Sequence, residues 1–371
     1  MYDEELSSLI AFSVFPGIGP VRFRLLYEYF GSARAAWEAS PNELNRIHLG
    51  EKLTDALIRF RSSFPLDAYC TTLQKLRIHV LPITDPRYPK LLKEIPDAPF
   101  LLYVKSKPGQ AKLTLDRTIA VVGTRKITSY GQDVTRRMVK SLVSYGFTII
   151  SGMAYGVDAV AHREAIESGG HTIAVLGCGI DIIAPPSNAR LYHQIGEEGG
   201  GAIVSEMPLG LRPNKGLFPA RNRIISGLSL GVLVTEGASD SGALITANNA
   251  LEQGRDVFAV PGPITSPYSA GPAALIKKGA KLVERVEDIL EELDINTTNT
   301  TKQSNTTNFK YKAGTVKEQK ILECLINEHV HIDEIVRGSG LTASDVAATI
   351  TILEMKHVIR DYGEKTYGIY Q

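Results

Sequence analysis

The chain is short of cysteine, of long apolar runs and of net charge of either sign. Its three cysteines, Cys70, Cys178 and Cys324, are widely spaced and form no CxxC pair. This argues against a disulfide framework or a zinc knuckle and favours a reducing compartment. No stretch approaches the roughly 18 apolar residues of a membrane span, and the N-terminal MYDEELSSLIAF is acidic where a signal peptide is basic. We therefore expect a cytoplasmic protein without a membrane span.

The charge balance gives the protein as a whole no attraction for nucleic acid. Over 371 residues the formal net charge is +1, so a site for a polyanion has to come from local clustering of lysine and arginine. A hydrophobic content of 43% and a charged content of 22% are typical of a globular chain with two or three domains. Net charge alone neither supports nor excludes DNA as a ligand.

Residues 1–80 have a helical pattern. Apolar residues recur at three-to-four spacing in LSSLIAF, VRFRLLYEYF and LTDALIRFRSSF, which predicts a small helical domain of the SAM or helix-hairpin-helix type. The break from Phe15 to Pro20 resembles a helix-hairpin-helix turn, whose glycines let backbone N–H groups approach a DNA phosphate. A tight corner between two helices is the alternative. Residues 81–117 are punctuated by prolines and are interpreted as a connector rather than an element.

From Thr118 onward, short apolar runs alternate with amphipathic stretches. The runs are IAVVG, FTIIS, TIAVLG, AIVSE, GVLVTE and DVFAVPG. Continuous β-rich runs separated by helices predict parallel strands that are buried on both faces. We therefore predict an α/β domain over residues 81–293 with an extended Rossmann-like, doubly wound and mostly parallel sheet. Ligands of such sheets bind beyond the carboxyl ends of the strands, so the residues after each run are candidate site residues.

Two further segments complete the chain. Residues 294–312 form an Asn/Thr-rich tract that is too polar to pack and is interpreted as a flexible linker. Residues 313–371 show three helical patterns and a terminal β-like pair, which is the plan of a small winged-helix domain. From Thr315 onward this segment has six lysines and arginines against nine acids. A winged helix that reads DNA is expected to be basic, so we favour a protein contact or a weak auxiliary DNA contact.

The end of the first predicted parallel strand is a candidate anion site. Gly123, Thr124 and Arg125 follow the strand directly, with Lys126 next and a helix beyond. Backbone N–H groups, the positive end of the helix and two cations together suit a phosphate. The alternative is a turn with exposed basic residues. The pattern is not GxGxxG, so the dinucleotide fingerprint is absent and no cofactor is predicted.

The end of the second parallel strand has small residues followed by two titratable ones. Ser151 and Gly152 leave room for a ligand to approach the backbone. Asp158 is placed to cap the next helix, with His162 one turn beyond it. A metal pair or an acid–base pair is the alternative for these two residues. We favour capping and a buried hydrogen bond, and interpret both as structural support.

The strongest local signal is the segment from Arg212 to Ile225, which has four cations, one aromatic ring and no acid. Single-stranded nucleic acid needs a cationic track for its phosphates and a flat apolar face for its bases, and each stacked base contributes about 1 to 3 kcal/mol. The alternative places the ring in the core and leaves the cations solvated. We favour a site for single-stranded DNA made by Lys215, Phe218, Arg221, Asn222 and Arg223.

A loop of small residues follows a later strand and opens the next helix. Ser241 and Gly242 in this loop let a nucleotide approach the backbone amides. Glu236, at the end of the strand, is placed to hydrogen-bond Arg221 or Arg223 and so to hold the basic segment. A catalytic carboxylate is the other interpretation of Glu236.

Taken in order, these motifs resemble one known family. They are DPRYP at 85–89, VGTR at 122–125, SGMAYGVD at 151–158 with His162, FPARNRII at 218–225, SGALIT at 241–246 and FAVPG at 258–262. In this order and spacing, residues 80–290 resemble the DprA/Smf family, and the helical head and winged-helix tail agree with its three-part layout. Two departures are Thr124, where serine is commoner, and Gly271-Pro272-Ala273, where the family usually has Gly-Thr-Asn.

The resemblance implies a function. A protein of this family binds single-stranded DNA without strong sequence preference, forms a homodimer through its Rossmann-like domain and helps to load RecA onto incoming strands in natural transformation. Carried over by motif, Arg125 and Lys215 hold phosphates and Phe218 stacks on a base. The departure at Pro272 removes support for a polar contact from the last loop.

An enzyme is the competing hypothesis. Related Rossmann-like folds include nucleotide-cleaving phosphoribohydrolases, and Asp158, His162 and Glu236 are residue types suited to acid–base work. Those enzymes typically carry a Pro-Gly-Gly-x-Gly-Thr-x-x-Glu stretch, which this chain lacks. An NAD-dependent dehydrogenase needs the missing dinucleotide fingerprint. We therefore expect a binding protein rather than an enzyme.

Overall fold

The N-terminal segment is helical, as its apolar spacing predicts. A computed structural model describes residues 2–47, 49–109, 113, 116–214, 216–295, 314–325, 330–356, 358–363 and 365–369. Its first helices, numbered in chain order, are α1 (Glu4–Val14), α2 (Pro20–Phe30), α3 (Ala33–Glu38), α4 (Pro41–Arg46), α5 (Glu51–Ser63) and α6 (Leu66–Lys75). Asp3 caps α1 by accepting a hydrogen bond from the N–H of Leu6 at 2.7 Å.

The turn between α1 and α2 has the glycines that its shape requires. Gly17 has a φ of +110°, a region that favours glycine, and Gly19 caps α2 ahead of Pro20 at the first helical position. The carbonyl of Gly17 accepts a hydrogen bond from Nη1 of Arg22 at 2.7 Å. A phosphate contact at this turn stays a prediction.

The N-terminal helices pack against the edge of the sheet. Their buried apolar residues form one hydrophobic core with residues of the following strands. The rings of Phe23 and Phe100 stack with centroids 4.0 Å apart, and the hydroxyls of Ser13 and Tyr103 lie 2.6 Å apart. The described residues from 2 to 295 accordingly belong to one compact unit, and a domain boundary near residue 80 stays a prediction.

The strands and helices that follow alternate along the chain. They are β1 (His79–Pro82), α7 (Lys90–Lys93), β2 (Leu101–Ser106), β3 (Thr118–Val122), α8 (Ser129–Ser144), β4 (Thr148–Ser151), α9 (Val157–Glu167), β5 (Thr172–Leu176), α10 (Ala189–Gly196), β6 (Gly201–Ser205), α11 (Leu217–Gly227), β7 (Gly231–Val234), α12 (Ala243–Glu252), β8 (Asp256–Ala259), α13 (Ala270–Lys277), β9 (Lys281–Leu282) and α14 (Val286–Glu292). Within the described residues these strands form one nine-stranded sheet.

The sheet is doubly wound, as predicted. Its order is β1-β2-β6-β5-β4-β3-β7-β8-β9, and the strands from β3 to β9 are parallel to one another. The chain runs outward from β3 to β6 and then returns to place β7 on the other side of β3. The carboxyl ends of β3, β4 and β7 therefore flank the point where the strand order reverses, which is where ligands of such folds bind.

The interpretation of residues 81–117 as a connector rather than an element is wrong, because they include the helix α7, one whole strand and the end of another. They contain β2, which pairs antiparallel with β6, and the end of β1, which pairs antiparallel with β2. Pro82 is the last residue of β1, which is an edge strand. Proline is tolerated there because its missing backbone N–H removes no hydrogen bond from the interior of the sheet. The prolines therefore flank the strands rather than exclude them.

A separate compact unit contains the described residues from 314 onward. Its elements are α15 (Val316–Cys324), β10 (Val330–His331), α16 (Ile332–Ser339), α17 (Ala343–Met355), β11 (Ile359–Asp361) and β12 (Thr366–Ile369). The strands pair antiparallel in the order β10-β12-β11, around a core that includes Ile321, Ile335 and Leu353. This is the predicted winged-helix domain. The predicted linker falls almost entirely outside the described residues.

None of the helices in the described ranges has both the length and the apolar character that crossing a bilayer requires.

Candidate nucleic-acid interface

A cavity of about 790 Å³ opens at the carboxyl ends of the central strands. It is lined by the residues after β3, by Ala154 and Asp158 beyond β4, by the first turns of α11 and α12, and by Pro267 and Tyr268 beyond β8. The N-termini of α11 and α12 thus contribute backbone N–H groups and positive dipole ends to its wall. The predicted DNA-binding residues that line this cavity are Gly123, Thr124, Arg125, Phe218, Arg221, Asn222, Ser241 and Gly242.

The loop after β3 is held by backbone hydrogen bonds on both sides. The N–H of Thr124 donates to the carbonyl of Glu236 at 2.7 Å, and its carbonyl accepts from the N–H of Val157 at 3.1 Å. A Cβ at Gly123 would lie 2.5 Å from Cγ2 of Val157, so glycine permits this close approach. Arg125 and the next residue are exposed. The loop therefore presents two cations from a fixed backbone.

Arg125 and Phe218 meet at the cavity. The guanidinium carbon of Arg125 lies 5.0 Å from the centroid of the Phe218 ring, which is within the range of a cation–π interaction. Phe218 is half-buried near the start of α11. A charge for a phosphate and a ring face for a base are thus brought together from segments that are more than ninety residues apart.

Arg221 lines the cavity but is not a free cation. It is 4% exposed, and its Nη1 donates to the carbonyls of Gly152 and Val175, each at 2.6 Å. Burial lowers the pKa of Arg221, and the carboxylate of Asp158 opposes that shift. A Cβ at Gly152 would overlap Nη1 of Arg221, so this glycine makes room for the guanidinium rather than for a ligand.

Arg223 was predicted to contact DNA, but its guanidinium is engaged in ion pairs away from the cavity. Its Nε lies 3.0 Å from Oδ2 of Asp97, and its Nη2 lies 2.7 Å from Oε2 of Glu206. The side chains of Arg223 and Glu206 are only 12% and 14% exposed. Burial raises the pKa of Glu206, and the charge of Arg223 opposes that shift. Arg223 is a structural ion-pair partner outside the cavity lining.

Ser151 and His162 are also turned inward. Ser151 is fully buried and donates its hydroxyl to the carbonyl of Val121 at 2.7 Å, so it does not face a ligand. His162 is fully buried as well, and its Nδ1 lies 2.6 Å from Oγ1 of Thr172. That hydroxyl donates to the carbonyl of Ile149 at 2.7 Å, which leaves Nδ1 as the donor to it. Burial lowers the pKa of His162 to about 3, so the ring is neutral at physiological pH.

Asp158 acts on the loop before its helix and not as the helix cap. The cap position of α9 is Gly156. The carboxylate of Asp158 accepts from the N–H groups of Gly152 at 3.1 Å and Ala154 at 3.3 Å. Burial raises its pKa, and Arg221 opposes the shift. Asp158 therefore holds the backbone that follows β4.

Glu236 binds a different loop from the one predicted. Its carboxylate accepts from the N–H of Thr128 at 3.0 Å and from the hydroxyl of Thr128 at 2.6 Å. Thr128 caps α8, so Glu236 ties the end of β7 to the helix after β3. The prediction of a bond to Arg221 or Arg223 is wrong, because both arginines find closer partners elsewhere.

The loop after β7 supplies the opposite wall of the cavity. Nδ2 of Asn222 donates to the carbonyl of Gly242 at 3.3 Å, which links α11 to the start of α12. Asp240 also lines the cavity. The Gly271-Pro272-Ala273 triplet, which differs from the usual family pattern, lies in the first turn of α13. The N–H of Gly271 donates to the carbonyl of Gly237 at 2.8 Å, so the triplet packs against this loop.

Some residues stand apart from the sequence prediction. Lys215 lies outside the described residues. Asp240 and Tyr268 line the cavity although the sequence prediction did not include them, and Lys126, the second cation of the predicted anion site, lines it as well. Tyr268 follows β8, so the rule that ligands bind beyond strand ends was the signal that could have found it. In the described ranges, no group of three or more His, Cys, Asp or Glu side chains is placed to hold a metal ion.

Comparison with protein-family models identifies the chain. The model described as DNA recombination-mediator protein A matches residues 79–294. The model of the DprA winged helix domain matches residues 311–362. The chain belongs to the DprA/Smf family. The resemblance seen in the motifs is therefore confirmed for both the sheet domain and the winged-helix domain.

Curated relatives and solved structures agree with this assignment. Protein Smf of Synechocystis is 39% identical over 298 residues, which cover 79% of this chain and 74% of that protein. DNA processing protein DprA of Bacillus subtilis is 44% identical over 216 residues, which cover 58% and 71%. The X-ray structure of DprA from Streptococcus pneumoniae matches with a TM-score of 0.68 at 34% identity, covering 79% of this chain and 98% of that one.

A second solved structure concerns DNA binding. It is DNA processing protein A from Helicobacter pylori, whose structure is described as giving insight into a unique single-stranded DNA binding mode. It matches with a TM-score of 0.52 at 28% identity and covers 58% of this chain and 95% of that one. The family thus includes a protein that binds single-stranded DNA.

Proposed function

We propose that this protein binds single-stranded DNA without strong sequence preference at the cavity beyond β3, β4 and β7. The observation that carries the proposal is the pairing of Arg125 with the Phe218 ring at the cavity. Arg125 and Lys215 hold phosphates, and Phe218 stacks on a base. A cation and an aromatic face side by side are what a sequence-tolerant site for a single strand requires. The single-stranded DNA binding described for the Helicobacter pylori relative supports the same ligand.

The other cavity residues have supporting parts in this proposal. Gly123 and Gly242 offer backbone N–H groups to the phosphate backbone, and Thr124 and Ser241 offer their hydroxyls. Asn222 steadies the wall between α11 and α12. Arg221 adds positive charge to the wall while it holds the strand ends together. The remaining members of the predicted set, Ser151, Gly152 and Arg223, are assigned structural roles only.

Binding to single strands is tested by fluorescence anisotropy with labelled oligo-dT and with a duplex of equal length. We expect oligo-dT to bind more tightly, and Arg125→Ala and Phe218→Ala each to weaken that binding. Loss of one phosphate contact also flattens the slope of log affinity against log salt by about 0.7. Arg136→Ala, which removes an exposed arginine of α8 outside the cavity, is the charge-matched control. Parental affinity in both cavity variants would overturn the site.

The proposed ligand and the family support a proposal about the cellular role. We propose that the protein protects incoming single strands and helps to load RecA onto them in natural transformation, as a homodimer in the cytoplasm where RecA acts. The family description as a recombination mediator supports this role. RecA loading is tested by asking whether the protein stimulates RecA filament formation on oligo-dT that is coated with a single-stranded-DNA-binding protein. The dimer is tested by light scattering after gel filtration. No stimulation, or a monomer at micromolar concentration, would contradict the respective part.

We propose further that the protein does not act as an enzyme. The groups that a nucleotide-cleaving mechanism needs are engaged elsewhere: Glu236 by Thr128, Asp158 by backbone N–H groups, and His162 in the core. Incubation with nucleoside monophosphates, followed by chromatography of the products, tests this. Turnover that is lost in Glu236→Gln would revive the phosphoribohydrolase hypothesis.

The winged-helix domain is proposed to contact protein rather than DNA. Helix α17, which corresponds to the DNA-reading helix of winged-helix domains, contains no lysine or arginine between Ala343 and Met355. Its exposed residues include Ile352 and Met355. We expect Ile352→Glu with Met355→Glu to leave oligo-dT affinity unchanged and to weaken capture of RecA. A loss of oligo-dT affinity in this variant would favour a DNA contact instead.

A further inference from the structure

The loop between β4 and α9, residues 152–156, has a strained backbone. Met153 has a φ of +59° and Gly156 a φ of +74°. The left-handed region is unfavourable for a residue with a long side chain, and such strain persists only where the surrounding structure enforces it. The backbone of this loop is therefore under specific constraint.

One side chain from the following helix and two from distant segments supply that constraint. The carboxylate of Asp158 accepts from two N–H groups of the loop, at 3.1 and 3.3 Å. Nδ2 of Asn188 donates to the carbonyl of Met153 at 2.9 Å, and Arg221 donates to the carbonyl of Gly152 at 2.6 Å. Asp158, Asn188 and Arg221 are themselves buried. The backbone of the loop is thus held in place by hydrogen bonds to these buried side chains.

One large side chain of this clamped loop points to solvent. Met153 is 1% exposed, whereas Tyr155 is 51% exposed. Tyr155 is absent from the cavity lining, although its neighbour Ala154 lines the cavity. An aromatic ring held in water by a rigid backbone is available for a partner without loss of backbone entropy.

The same loop touches the proposed phosphate contact. A Cβ at Gly156 would overlap the carbonyl oxygen of Thr124 and would lie 2.8 Å from the carbonyl carbon of Arg125. The backbone of Arg125 therefore packs against the Tyr155 loop, while its guanidinium reaches the ring of Phe218. Arg125 thus adjoins the Tyr155 loop through its backbone and the Phe218 ring through its side chain.

We propose that Tyr155 is a second base-stacking position, on which the strand places a neighbouring base as it leaves the cavity past Arg125. The inference rests on the proposed function, because it extends the same binding path. A base stacked on each of Phe218 and Tyr155, with a phosphate on the arginine between them, repeats the alternation of charge and ring that single strands require. The flat face of the ring makes the contact, so the position tolerates any base.

The test is a set of substitutions at Tyr155 measured against two probes. The probes are oligo-dT and an abasic oligonucleotide of the same length, which has the phosphates but no bases. Tyr155→Ala is expected to weaken oligo-dT binding by about fivefold or more, the lower end of what one stacked base contributes, and to leave abasic binding unchanged. Tyr155→Phe is expected to retain the parental affinity, whereas Tyr155→Leu keeps apolar bulk without a ring system and loses it.

Three outcomes would overturn the inference: parental oligo-dT affinity in Tyr155→Ala, equal losses on both probes, or full affinity in Tyr155→Leu. Tyr29→Ala is the matched control, since Tyr29 is 53% exposed on α2. A failure of the proposed function itself is distinguishable, because Arg125→Ala and Phe218→Ala would then bind oligo-dT like the parent. If those two variants lose affinity while Tyr155→Ala does not, the cavity site stands and only the second position is wrong.

A direct readout comes from fluorescence. The chain has a single tryptophan, Trp37, which packs against Phe12 in the N-terminal core. A Tyr155→Trp variant therefore adds an exposed reporter to a constant background. Saturating oligo-dT is expected to quench the added emission, and the abasic probe is not. An added signal that is insensitive to oligo-dT would contradict stacking at this position.

Discussion

The guanidinium of Arg125 lies over the ring of Phe218, with its central carbon 5.0 Å from the ring centroid. The two residues come from the loop after β3 and from the start of α11, and only the return of the chain to β7 brings these segments together. The contact fixes the direction of a long, otherwise mobile cation. It also leaves part of the ring open, because Phe218 is half-buried.

The first prediction is that Arg125 and Phe218 are coupled in DNA binding. In a double-mutant cycle with Arg125→Ala and Phe218→Ala, the loss in the double variant is expected to be smaller than the sum of the single losses by about 0.5–1 kcal/mol, the size of an exposed cation–π interaction. Removing either residue already abolishes the positioning of the other. Anisotropy titrations with oligo-dT measure the cycle, and strictly additive losses would contradict the coupling.

A second prediction concerns the buried ion pair of Arg223 with Glu206. Arg223→Met leaves the Glu206 carboxylate buried without its partner, so we expect the free energy of unfolding to fall by about 3–5 kcal/mol. Adding Glu206→Gln removes the buried charge and should restore part of that loss. Urea denaturation followed by circular dichroism measures both variants. A single variant as stable as the parent would show that the pair is not structural.

The third prediction compares two glycines at the site. Gly152→Ala places a Cβ against the guanidinium of Arg221, and overpacking of this kind is expected to cost about 1–3 kcal/mol. Gly242 has a φ of −58° and open space where a Cβ would stand, so Gly242→Ala is expected to be neutral or to gain about 0.4–1 kcal/mol. Thermal unfolding of both variants checks the contrast, and equal effects would argue against the clamp at Gly152.

The fourth prediction is a pH dependence of stability due to His162. Burial lowers its pKa from 6.5 to about 3 in the folded protein, so below pH 6.5 the unfolded chain takes up a proton that the folded chain does not. The free energy of unfolding should therefore fall as pH drops from about 6.5 towards 3, by up to about 1.4 kcal/mol per pH unit from this residue.

Measurement against His162→Gln isolates this contribution, because other titrating groups affect both proteins alike. Urea unfolding at a series of pH values is expected to give a shallower loss in the variant on the acid side. Parallel pH profiles for the parent and the variant would show that His162 is not held neutral by the fold.

Much of the fold was predictable because local chemistry determines it. Runs such as IAVVG and GVLVTE are β-rich and apolar throughout, which suits strands covered on both faces, and they became β3 and β7. The strand β2 was missed because prolines surround it, although proline next to an edge strand is tolerated. Its pairing with β6, about a hundred residues away, leaves no local signal.

The amino-acid sequence by itself determined the parallel sheet, the winged-helix plan and the family, and it placed the candidate site beyond the strand ends, where the cavity lies. Tertiary structure alone decided which basic side chains of that site are free. Arg221 is occupied by carbonyls 69 and 46 residues away, and Arg223 by Asp97 and Glu206, whereas Arg125 is exposed. The physical reason is that a cationic side chain is engaged by the acceptors that the fold brings within hydrogen-bonding distance. Those acceptors can be far away along the chain, so the local sequence does not reveal them.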